Sequence, residues 1–397
     1  MKKAYLFIGI AVFVCLILAA VIVTVCLKHK NNAQESWKDM GFDLSLPTLG
    51  EDGWYMVFED DFEGDALNQN IQFGERYRGA KEIWTTSPHA VRWESNDKNK
   101  PEQACWWCPE TVEVKDSNVI IHARYEDNHT CTGECPAVGR FTGGIETRRI
   151  TGDNNQNKGS EDELLFAQAF GYFEVRAKLP DADGLWSAFW LQSSNQRKVS
   201  SAGVDGTEID VFESAFRKSR QSKMGHALLW NGYGKFADSE AYIGTLQQDL
   251  YDGYHTYALK WTPEYYVFYI DGEPTWASMG GGVSKVKEFL RLTVEIDAGD
   301  GFGPHGQKIG QFSESGDNIF MVDYVKVWQN ENYEAFEIDD SKFPGEEFER
   351  LVSASERGDR EGEERARKNL ERAVRTQAES IARKYILPPV TTDFAIM

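Results

Sequence analysis

The chain has 397 residues, enough for one large domain or two modest ones. Its formal net charge is −20 at pH 7 and its pI is about 4.9, which argues against nucleic acid as a partner, because phosphate binding needs a basic surface. Aromatic residues make up 13% of the sequence, a supply that suits a large β core or stacking on the rings of a ligand.

The chain opens with an apolar run at residues 4–27, flanked by lysines on both sides. The run is longer than the apolar core of a secretory signal, about 7–15 residues, and exceeds the about 20 residues that span a bilayer. We therefore expect residues 1–30 to form a signal anchor, a transmembrane helix, with a cleaved signal peptide as the alternative. Residues 31–51 are polar with scattered proline and glycine, which is typical of a linker.

Residues 52–330 show short alternating or apolar runs separated by turn signals such as DADG (181–184). This pattern predicts an all-β domain, a two-sheet sandwich or jelly roll with little helix. A β-sandwich of this length can be a single domain. The predicted strands include residues 55–58, 119–123, 171–179, 187–191, 255–261, 266–270, 291–296 and 320–328.

Two pairs of cysteines fall in this domain, CWWC at 105–108 and CTGEC at 131–135. Their spacings suit two disulfides in an oxidising compartment, a tetrahedral zinc site, or free thiols. We favour disulfides, because NHT at 128–130 is a glycosylation acceptor between the pairs and glycosylation occurs outside the cell. The pairing itself does not follow from the spacing.

The stretch GTEIDVFES (206–214) places three carboxylates, Glu208, Asp210 and Glu213, on one predicted strand. Glu208 and Asp210 share a face because the side-chain period of a strand is two, and one bulged residue would bring Glu213 to the same face. Crowded acids repel one another, which raises the pKa of one member while another stays ionised. The alternative is an edge strand whose acids are simply solvated.

Residues 331–397 are dense in glutamate, arginine and lysine. Mixed charges three and four residues apart favour a solvated helical tail. We expect Gly358 and Gly362 to break this tail and Pro388-Pro389 to end it. We assign this tail no chemistry.

Several ordered motifs resemble glycoside hydrolase family 16, the laminarinase-like β-jelly-roll enzymes. The similarity covers about residues 52–329 and leaves out the apolar run and the tail. It implies a jelly roll with a concave substrate cleft. The motifs are VFEDDF (57–62), FGYFEVRAKLP (170–180), GLWSAFWL (184–191), EIDVFE (208–213), HTYALKW (255–261), YIDG (269–272) and VDYVKV (322–327).

The resemblance implies roles for the three acids. Glu208 would be the nucleophile of a retaining glycosidase, and Glu213 the general acid/base. Asp210 would hydrogen-bond the nucleophile and tune both pKa values. A second Glu-Ile-Asp, at Glu295 and Asp297, lacks the following glutamate, and we interpret it as part of a later strand.

Other residues follow from the same resemblance. Trp186 and Trp190 would line the cleft and stack on sugar rings, with core packing as the alternative for each. His226 would hydrogen-bond a sugar, unless it is a structural histidine. Asp323 matches a residue that ligates a structural Ca²⁺ in many members, and oxygen ligands suit that ion. The chemistry itself requires no cofactor.

The sequence therefore predicts a membrane-anchored, extracellular or lumenal endo-hydrolase of a β-linked polysaccharide. A β-1,3- or mixed-linkage glucan is the first expectation, and a β-galactan is a further one. The alternatives are a transglycosylase that remodels wall glycans and a surface protein that binds glycan without cleaving it. We expect polysaccharide and membrane as partners, and no nucleic acid.

Overall fold

The computed structural model describes residues 36–75, 82–150, 162–193, 206–214, 222–232, 237–301, 308–315, 317–333 and short stretches between 350 and 372. The chain divides into two compact units, Met1–Leu44 and Ser45–Met397. Of the first unit, the described part contains one 3₁₀ turn, Ser36–Asp39. The second unit holds every strand named below.

The described strands are numbered in chain order. They are β1 Trp54–Asp60, β2 Gln72–Phe73, β3 Thr85–Thr86, β4 Ala90–Trp93, β5 Cys105–Trp107, β6 Val112–Val114, β7 Val119–Glu126, β8 Gly139–Thr142, β9 Gly144–Glu146, β10 Arg148–Ile150, β11 Asp162–Leu164, β12 Gly171–Lys178, β13 Leu185–Gln192, β14 Glu208–Glu213, β15 Lys223–Trp230, β16 Asp238–Thr245, β17 His255–Trp261, β18 Tyr266–Ile270, β19 Glu273–Ser278, β20 Phe289–Ile296 and β21 Asp317–Asn330. Short 3₁₀ turns occur at Pro101–Gln103, Pro109–Thr111 and Gly280–Gly282.

These strands form two large sheets and one small pair. The 12-stranded sheet runs β19-β18-β17-β12-β21-β7-β8-β5-β4, with β1, β2 and β6 attached beside this path. The 7-stranded sheet runs β16-β15-β14-β13-β20-β9-β3, and β10 pairs only with β11. All pairs between these strands are antiparallel except β5 with β8, which is parallel.

Aromatic side chains join the two sheets. Phe212 of the 7-stranded sheet packs on Tyr257 and Phe320 of the 12-stranded sheet, at ring-centroid distances of 4.2 and 6.2 Å. Such pairs bury large apolar areas and prefer tilted or edge-on geometry. Strands β13 and β20 are buried on nearly every residue, and they lie side by side at the centre of the 7-stranded sheet.

The predicted all-β sandwich is confirmed, and each strand predicted above lies in a strand of the structure. The alternating and apolar runs found these elements because a half-buried strand requires that pattern. The predicted transmembrane helix at residues 4–27 lies outside the described residues. Within the described ranges there is no helix of the length and apolar character needed to cross a membrane.

Most described residues of the C-terminal tail between 350 and 372 are helical. A turn at Arg357 and Gly358 interrupts it, and Gly358 has a φ of +68°, a conformation that favours glycine. Gly362 lies within a helical stretch instead of breaking it. Lys368 and Glu364 lie one helical turn apart and form an ion pair, with Nζ and Oε1 separated by 2.7 Å.

The prediction of two disulfides is half right. Cys131 and Cys135 are bonded to each other, whereas Cys105 and Cys108 are free and buried. The two free thiols lie in different places. Cys105 begins β5, and its Sγ lies 3.8 Å from the carboxylate of Glu295. Cys108 follows the strand and precedes a 3₁₀ turn. Burial raises the pKa of Cys108 to about 12.

Candidate active site

A bulge in β14 gathers the three acids. In the pairing of β14 with β15, the register shifts between Asp210 and Glu213. On the other side, Trp190 of β13 pairs with Asp210, and Ala188 pairs with Glu213. Directly paired residues share a face, and so do residues two apart on one strand. Since Ala188 and Trp190 are two apart, Glu213 lies on the same face as Asp210, as the sequence predicted.

Small residues flank the acids on this face. Asp210 pairs with Ala227 of β15, and Glu213 lies between Gly225 of β15 and Ala188 of β13. Side chains this short leave the space above the neighbouring strands to the carboxylates. Glu208 is 8% exposed and Asp210 4% exposed, and Glu213 is the more exposed member.

Burial and mutual repulsion keep protons on two of the acids. Burial, followed by the negative charge of Glu208, raises the pKa of Glu213 to about 8. The indole N–H of Trp186 partly offsets this shift, although it is too far away or too poorly aligned for an ordinary hydrogen bond. Burial, then Glu213 and Glu208, raise the pKa of Asp210 well above its usual range.

Glu208 has basic and amide neighbours. Gln192 donates from Nε2 to Glu208 Oε2 at 3.3 Å, and Arg291 donates from Nη1 to the amide oxygen of the same Gln192 at 3.4 Å. The opposite charges of Glu208 and Arg291 attract each other, although burial is the larger influence and lowers the pKa of Arg291 to about 10. Glu146 pairs with Arg291 Nε at 3.2 Å and completes the row.

Arginines and tryptophans stack beside the acids. The guanidinium of Arg291 lies 4.1 Å from the ring centroid of Trp190 and 5.3 Å from that of Trp107. Arg92 covers Trp107 at 3.9 Å. Buried cation–ring contacts of this kind contribute about 2 kcal/mol each. We call Arg92, Trp107, Arg291 and Trp190 the arginine–tryptophan stack.

The two predicted sugar-stacking tryptophans are both on the acidic face and both 9% exposed. Trp186 packs against the buried Ile309 and lies beside Glu213. Trp190 donates its indole N–H to Thr293 Oγ1 at 3.0 Å, and Arg291 covers one face of its ring. A sugar could stack on Trp190 only through the other ring face, so stacking on either tryptophan stays a prediction.

His226, predicted to hydrogen-bond a sugar, fits the alternative of a structural histidine. His226 is 1% exposed and belongs to the opposite face of β15, between the sheets, where its ring packs on Phe268 at 5.0 Å. Nδ1 donates to the carbonyl of Val211 at 2.7 Å, and Nε2 accepts from Thr275 Oγ1 at 2.9 Å. Both ring nitrogens are therefore used by the protein, and burial lowers the pKa of His226 to about 4.

The second Glu-Ile-Asp is a structural element of β20, as predicted. Glu295 accepts from Arg92 Nε at 2.8 Å and from Trp93 Nε1 at 3.1 Å. Asp297 accepts from the backbone N–H groups of Phe312 and Gly299, both at 2.7 Å. These carboxylates hold loops in place at the end of the sheet.

Asp323, the predicted Ca²⁺ ligand, lies beside an arginine. Its carboxylate is paired with the guanidinium of Arg176, which also lies over the ring of Tyr254. A cation at Asp323 would have to displace or repel that arginine. Among the described residues, the groups of three ligands close enough for one metal do not include Asp323.

Sequence reasoning missed Arg291, Gln192, Glu146 and the arginine–tryptophan stack. These residues lie on β20, β13, β9, β5 and β4, far apart in the chain. The strand order of each sheet and the packing of the two sheets bring them together. One signal was available. Arg291 and Glu295 are charged residues within FLRLTVEI, the sequence of a fully buried strand. Buried charged residues need partners.

Comparison with known proteins gives two separate matches. Residues 101–279 match the model of glycosyl hydrolases family 16, and residues 311–397 match the model of the RmuC family. The second match begins within the β domain, since it includes all of β21.

Relatives match each part. The endo-1,3-1,4-beta-glycanases ExsH and EglC of Rhizobium meliloti (strain 1021) are 34% identical over 163 residues and 28% identical over 311 residues. The alignments cover 41% and 75% of this chain, and only 31% and 61% of those proteins. The DNA recombination protein RmuC homolog of Xylella fastidiosa (strain Temecula1 / ATCC 700964) is 52% identical over 58 residues, 15% of this chain and 13% of that protein.

A solved structure shares the fold. It is described under endo-acting O-glycanases expressed by prominent members of the human gut microbiota. The match has a TM-score of 0.50 at 17% identity and covers 74% of this chain and 95% of that one. At this identity it supports the β-sandwich architecture alone.

Proposed function

We propose that the β-sandwich of this chain, in which residues 101–279 match glycosyl hydrolases family 16, is a retaining endo-hydrolase of a β-linked glucan. The names of its relatives, endo-1,3-1,4-beta-glycanase and beta-glucanase, favour β-1,3- or mixed-linkage glucan as the substrate. The observation that carries the proposal is the bulge, because it puts a proton-bearing Glu213 on one face with Glu208.

The proposed reaction is a double displacement. Glu213 gives its proton to the leaving oxygen while Glu208 attacks the sugar and forms a glycosyl ester. Glu213, now ionised, then removes a proton from the water that cleaves this ester. The mechanism expects the two carboxyl groups about 5–5.5 Å apart. Asp210 between them would hydrogen-bond Glu208 and tune the pKa values of both glutamates, and the row from Gln192 to Arg291 orients Glu208.

Substitution of each proposed catalytic acid tests this assignment. We expect Glu208→Gln and Glu213→Gln each to lower kcat on barley mixed-linkage glucan or laminarin by about 10³-fold or more, with an unchanged circular dichroism spectrum. Glu113→Gln is the matched control, because Glu113 lies on β6 in the other sheet and pairs with His122. We also expect azide to rescue Glu208→Gly and to give a product of inverted configuration.

Normal turnover by either glutamine variant would overturn the assignment. Product analysis separates the two alternatives named above. Oligosaccharides longer than the substrate would indicate transglycosylation, and stable binding without any product would indicate a glycan-binding protein.

We propose that the β domain acts outside the cytoplasm, held by the apolar run at residues 4–27. The Cys131–Cys135 disulfide supports this location, because such bonds persist in oxidising compartments. Cell fractionation with an antibody to the β domain tests it. A protein found wholly in the cytoplasmic fraction would contradict the proposal.

We keep the expectation that the β domain binds no nucleic acid, on the ground of the net charge of −20. DNA recombination belongs to the name of the RmuC homolog, and the chain spans 13% of that protein. An electrophoretic mobility shift with the full chain and duplex DNA checks the expectation.

A further inference from the structure

A cluster of sulfur and nitrogen ligands lies apart from the acidic face, where the loop between β7 and β8 meets the end of β5. Cys108 directly follows β5, and His129 and Cys135 lie in the loop. One ligand atom from each of these three residues lies within 4.8 Å of the other two. Zn–S bonds of about 2.3 Å and Zn–N bonds of about 2.0–2.1 Å need ligand atoms about this close.

His129 is prepared to act as a ligand. Its side chain is 2% exposed, and Nδ1 lies 2.8 Å from Glu126 Oε2. When Nδ1–H donates a hydrogen bond to Glu126, the neutral ring has its lone pair on Nε2. In the described structure Nε2 is buried without a hydrogen-bond partner. The ring is fixed by stacking on Phe141 at 3.8 Å.

A carboxylate behind a histidine is the usual support of a metal-binding imidazole, because it sets the tautomer and strengthens the ligand. A buried nitrogen without a partner is costly in a purely structural role. Glu126 and the nearby Glu110 also supply negative charge that favours a cation. The arrangement thus points to a ligand that is a metal ion.

The loop is held in place by more than its disulfide. The backbone N–H and the hydroxyl of Thr132 donate to Glu110 Oε1 at 2.7 and 2.8 Å. The N–H of His129 donates to the carbonyl of Ala137 at 2.7 Å and closes the base of the loop. A Cβ on Gly133 would lie 2.5 Å from His89 Nδ1, so the turn packs closely on its neighbour. Reduction of the disulfide would therefore leave the Cys135 thiol near Cys108, with the Cys131 thiol beside Cys135.

We propose that, when the Cys131–Cys135 disulfide is reduced, Cys108, His129, Cys131 and Cys135 bind one Zn²⁺ ion. A dithiol supplies the two electrons and two protons of the reduction and becomes a disulfide itself. Binding of Zn²⁺ to the three thiols then releases their three protons to solvent. Thiolate and imidazole select zinc over calcium or magnesium, which prefer oxygen.

The site would have two states in two compartments. In a reducing compartment, zinc would hold the β7–β8 loop to the end of β5. In an oxidising one, the disulfide would close the same loop. In both states β5 stays anchored, and β5 carries Trp107 of the arginine–tryptophan stack.

Metal analysis of the full chain tests the proposal. The chain is reduced with dithiothreitol, loaded with Zn²⁺ and desalted anaerobically, and zinc is measured by mass spectrometry beside an oxidised sample. We expect about one zinc per reduced chain and less than a tenth of that per oxidised chain. With Co²⁺ in place of Zn²⁺, the reduced chain should show thiolate-to-cobalt absorption in the near ultraviolet.

Three variants and two controls locate the site. Cys108→Ser and His129→Gln should abolish stoichiometric zinc, and Glu126→Gln should weaken zinc binding about 10–100-fold, the usual loss when such a support is removed. Cys105→Ser and His122→Gln are the matched controls, because one removes the other free buried thiol and the other a histidine of β7. Both should bind zinc as the wild type does.

The proposal is overturned if the reduced wild-type chain takes up no zinc, or if Cys108→Ser and His129→Gln retain it. Should reduction unfold the loop, recovery of the near-ultraviolet circular dichroism on adding Zn²⁺ supports the site, and failure to recover overturns it. Neither result depends on glucan cleavage.

Discussion

Glu213 keeps a proton near neutral pH because its ionised form is buried and faces the charge of Glu208. The same physics acts on Asp210, whose pKa is raised further by burial and by both glutamates. The three acids therefore differ in protonation. Glu213 and Asp210 hold protons, whereas Glu208 lies beside the row of Gln192 and Arg291. The sequence places the three acids together, but this inequality comes from neighbours on other strands.

The raised pKa of Glu213 predicts an alkaline limit of activity. kcat/KM should be steady below pH 7 and fall above about pH 8, as the general acid loses its proton. Stopped assays on a β-glucan across pH 5–10 measure this limb. A limb below pH 6 would show that Glu213 is ionised in the free enzyme and would contradict the proposed role.

The same shift makes Glu213 a source of instability as the pH rises. Its folded pKa of about 8 lies above the ordinary value of 4.5, so the folded state binds more protons and stability falls between these two pH values. Glu213→Gln should therefore be more stable than wild type at pH 8, on the order of 1–3 kcal/mol, and nearly equal at pH 5. Urea unfolding at both pH values measures the difference, and a larger gain at pH 5 would contradict it.

At the scale of one element, His226 supports the bulge of β14. The bulge leaves the carbonyl of Val211 out of the regular ladder, and His226 Nδ1 donates to that carbonyl from the neighbouring strand. Thr275 on β19 in turn donates to His226 Nε2. We therefore expect His226 to act as a positioning residue that supports the bulge between Asp210 and Glu213.

Substitution of His226 should disturb both the bulge and the acids. His226→Phe removes the donor and leaves a buried carbonyl without a partner, at a cost of about 1–3 kcal/mol, and we expect kcat to fall about 10–100-fold. His226→Gln, which can still donate, should recover part of kcat, whereas KM should change little in either variant. Kinetics that match wild type in the folded His226→Phe protein would exclude the positioning role.

His226 also makes stability sensitive to acid. Its folded pKa of about 4 lies below the ordinary value of 6.5 because burial disfavours the charged ring. Its neutral form therefore contributes stability above pH 6.5, and that contribution is lost as the pH falls through about 4. The wild type should lose this stability in acid, whereas His226→Gln, which has no titrating ring, should not.

At the scale of the whole molecule, β21 holds the 12-stranded sheet together. Its first half pairs with β7, and its second half lies between β12 and β1. The sequence match to the RmuC family includes this strand, although the strand is a central member of the β-sandwich. The tail beyond it contributes no strand among the described residues.

Truncation separates the contribution of β21 to folding from that of the tail. A chain that ends at residue 333 should keep its β-glucan hydrolysis and its unfolding temperature within about 3 °C, because no described strand is lost. A chain that ends at residue 316 lacks β21 and should fail to fold, since three neighbouring strands lose their partner. An active, folded chain ending at 316 would show that β21 is dispensable.

The sequence predicts what depends on local pattern and misses what depends on strand order. Alternation in β12, β17 and β18 and the spacing of Glu208, Asp210 and Glu213 are local, so the sandwich and the bulge could be foreseen. The pairing of Arg291 with Trp190 and Trp107 depends on which strands are neighbours. The face of His226 depends on the register of β15 against β14, which residue type does not reveal.

Trp54 at the start of β1 pairs directly with Asn330 at the end of β21. The polypeptide thus enters and leaves the sandwich on adjacent backbones, a few ångströms apart in any antiparallel pair. A module built this way can be spliced into a host chain as a cassette, since its two junctions need no long connector. Joining residues 54 and 330 through a short turn, and opening the ring at a distant hairpin such as Asp271-Gly272, would give a circular permutant that keeps every described strand pair.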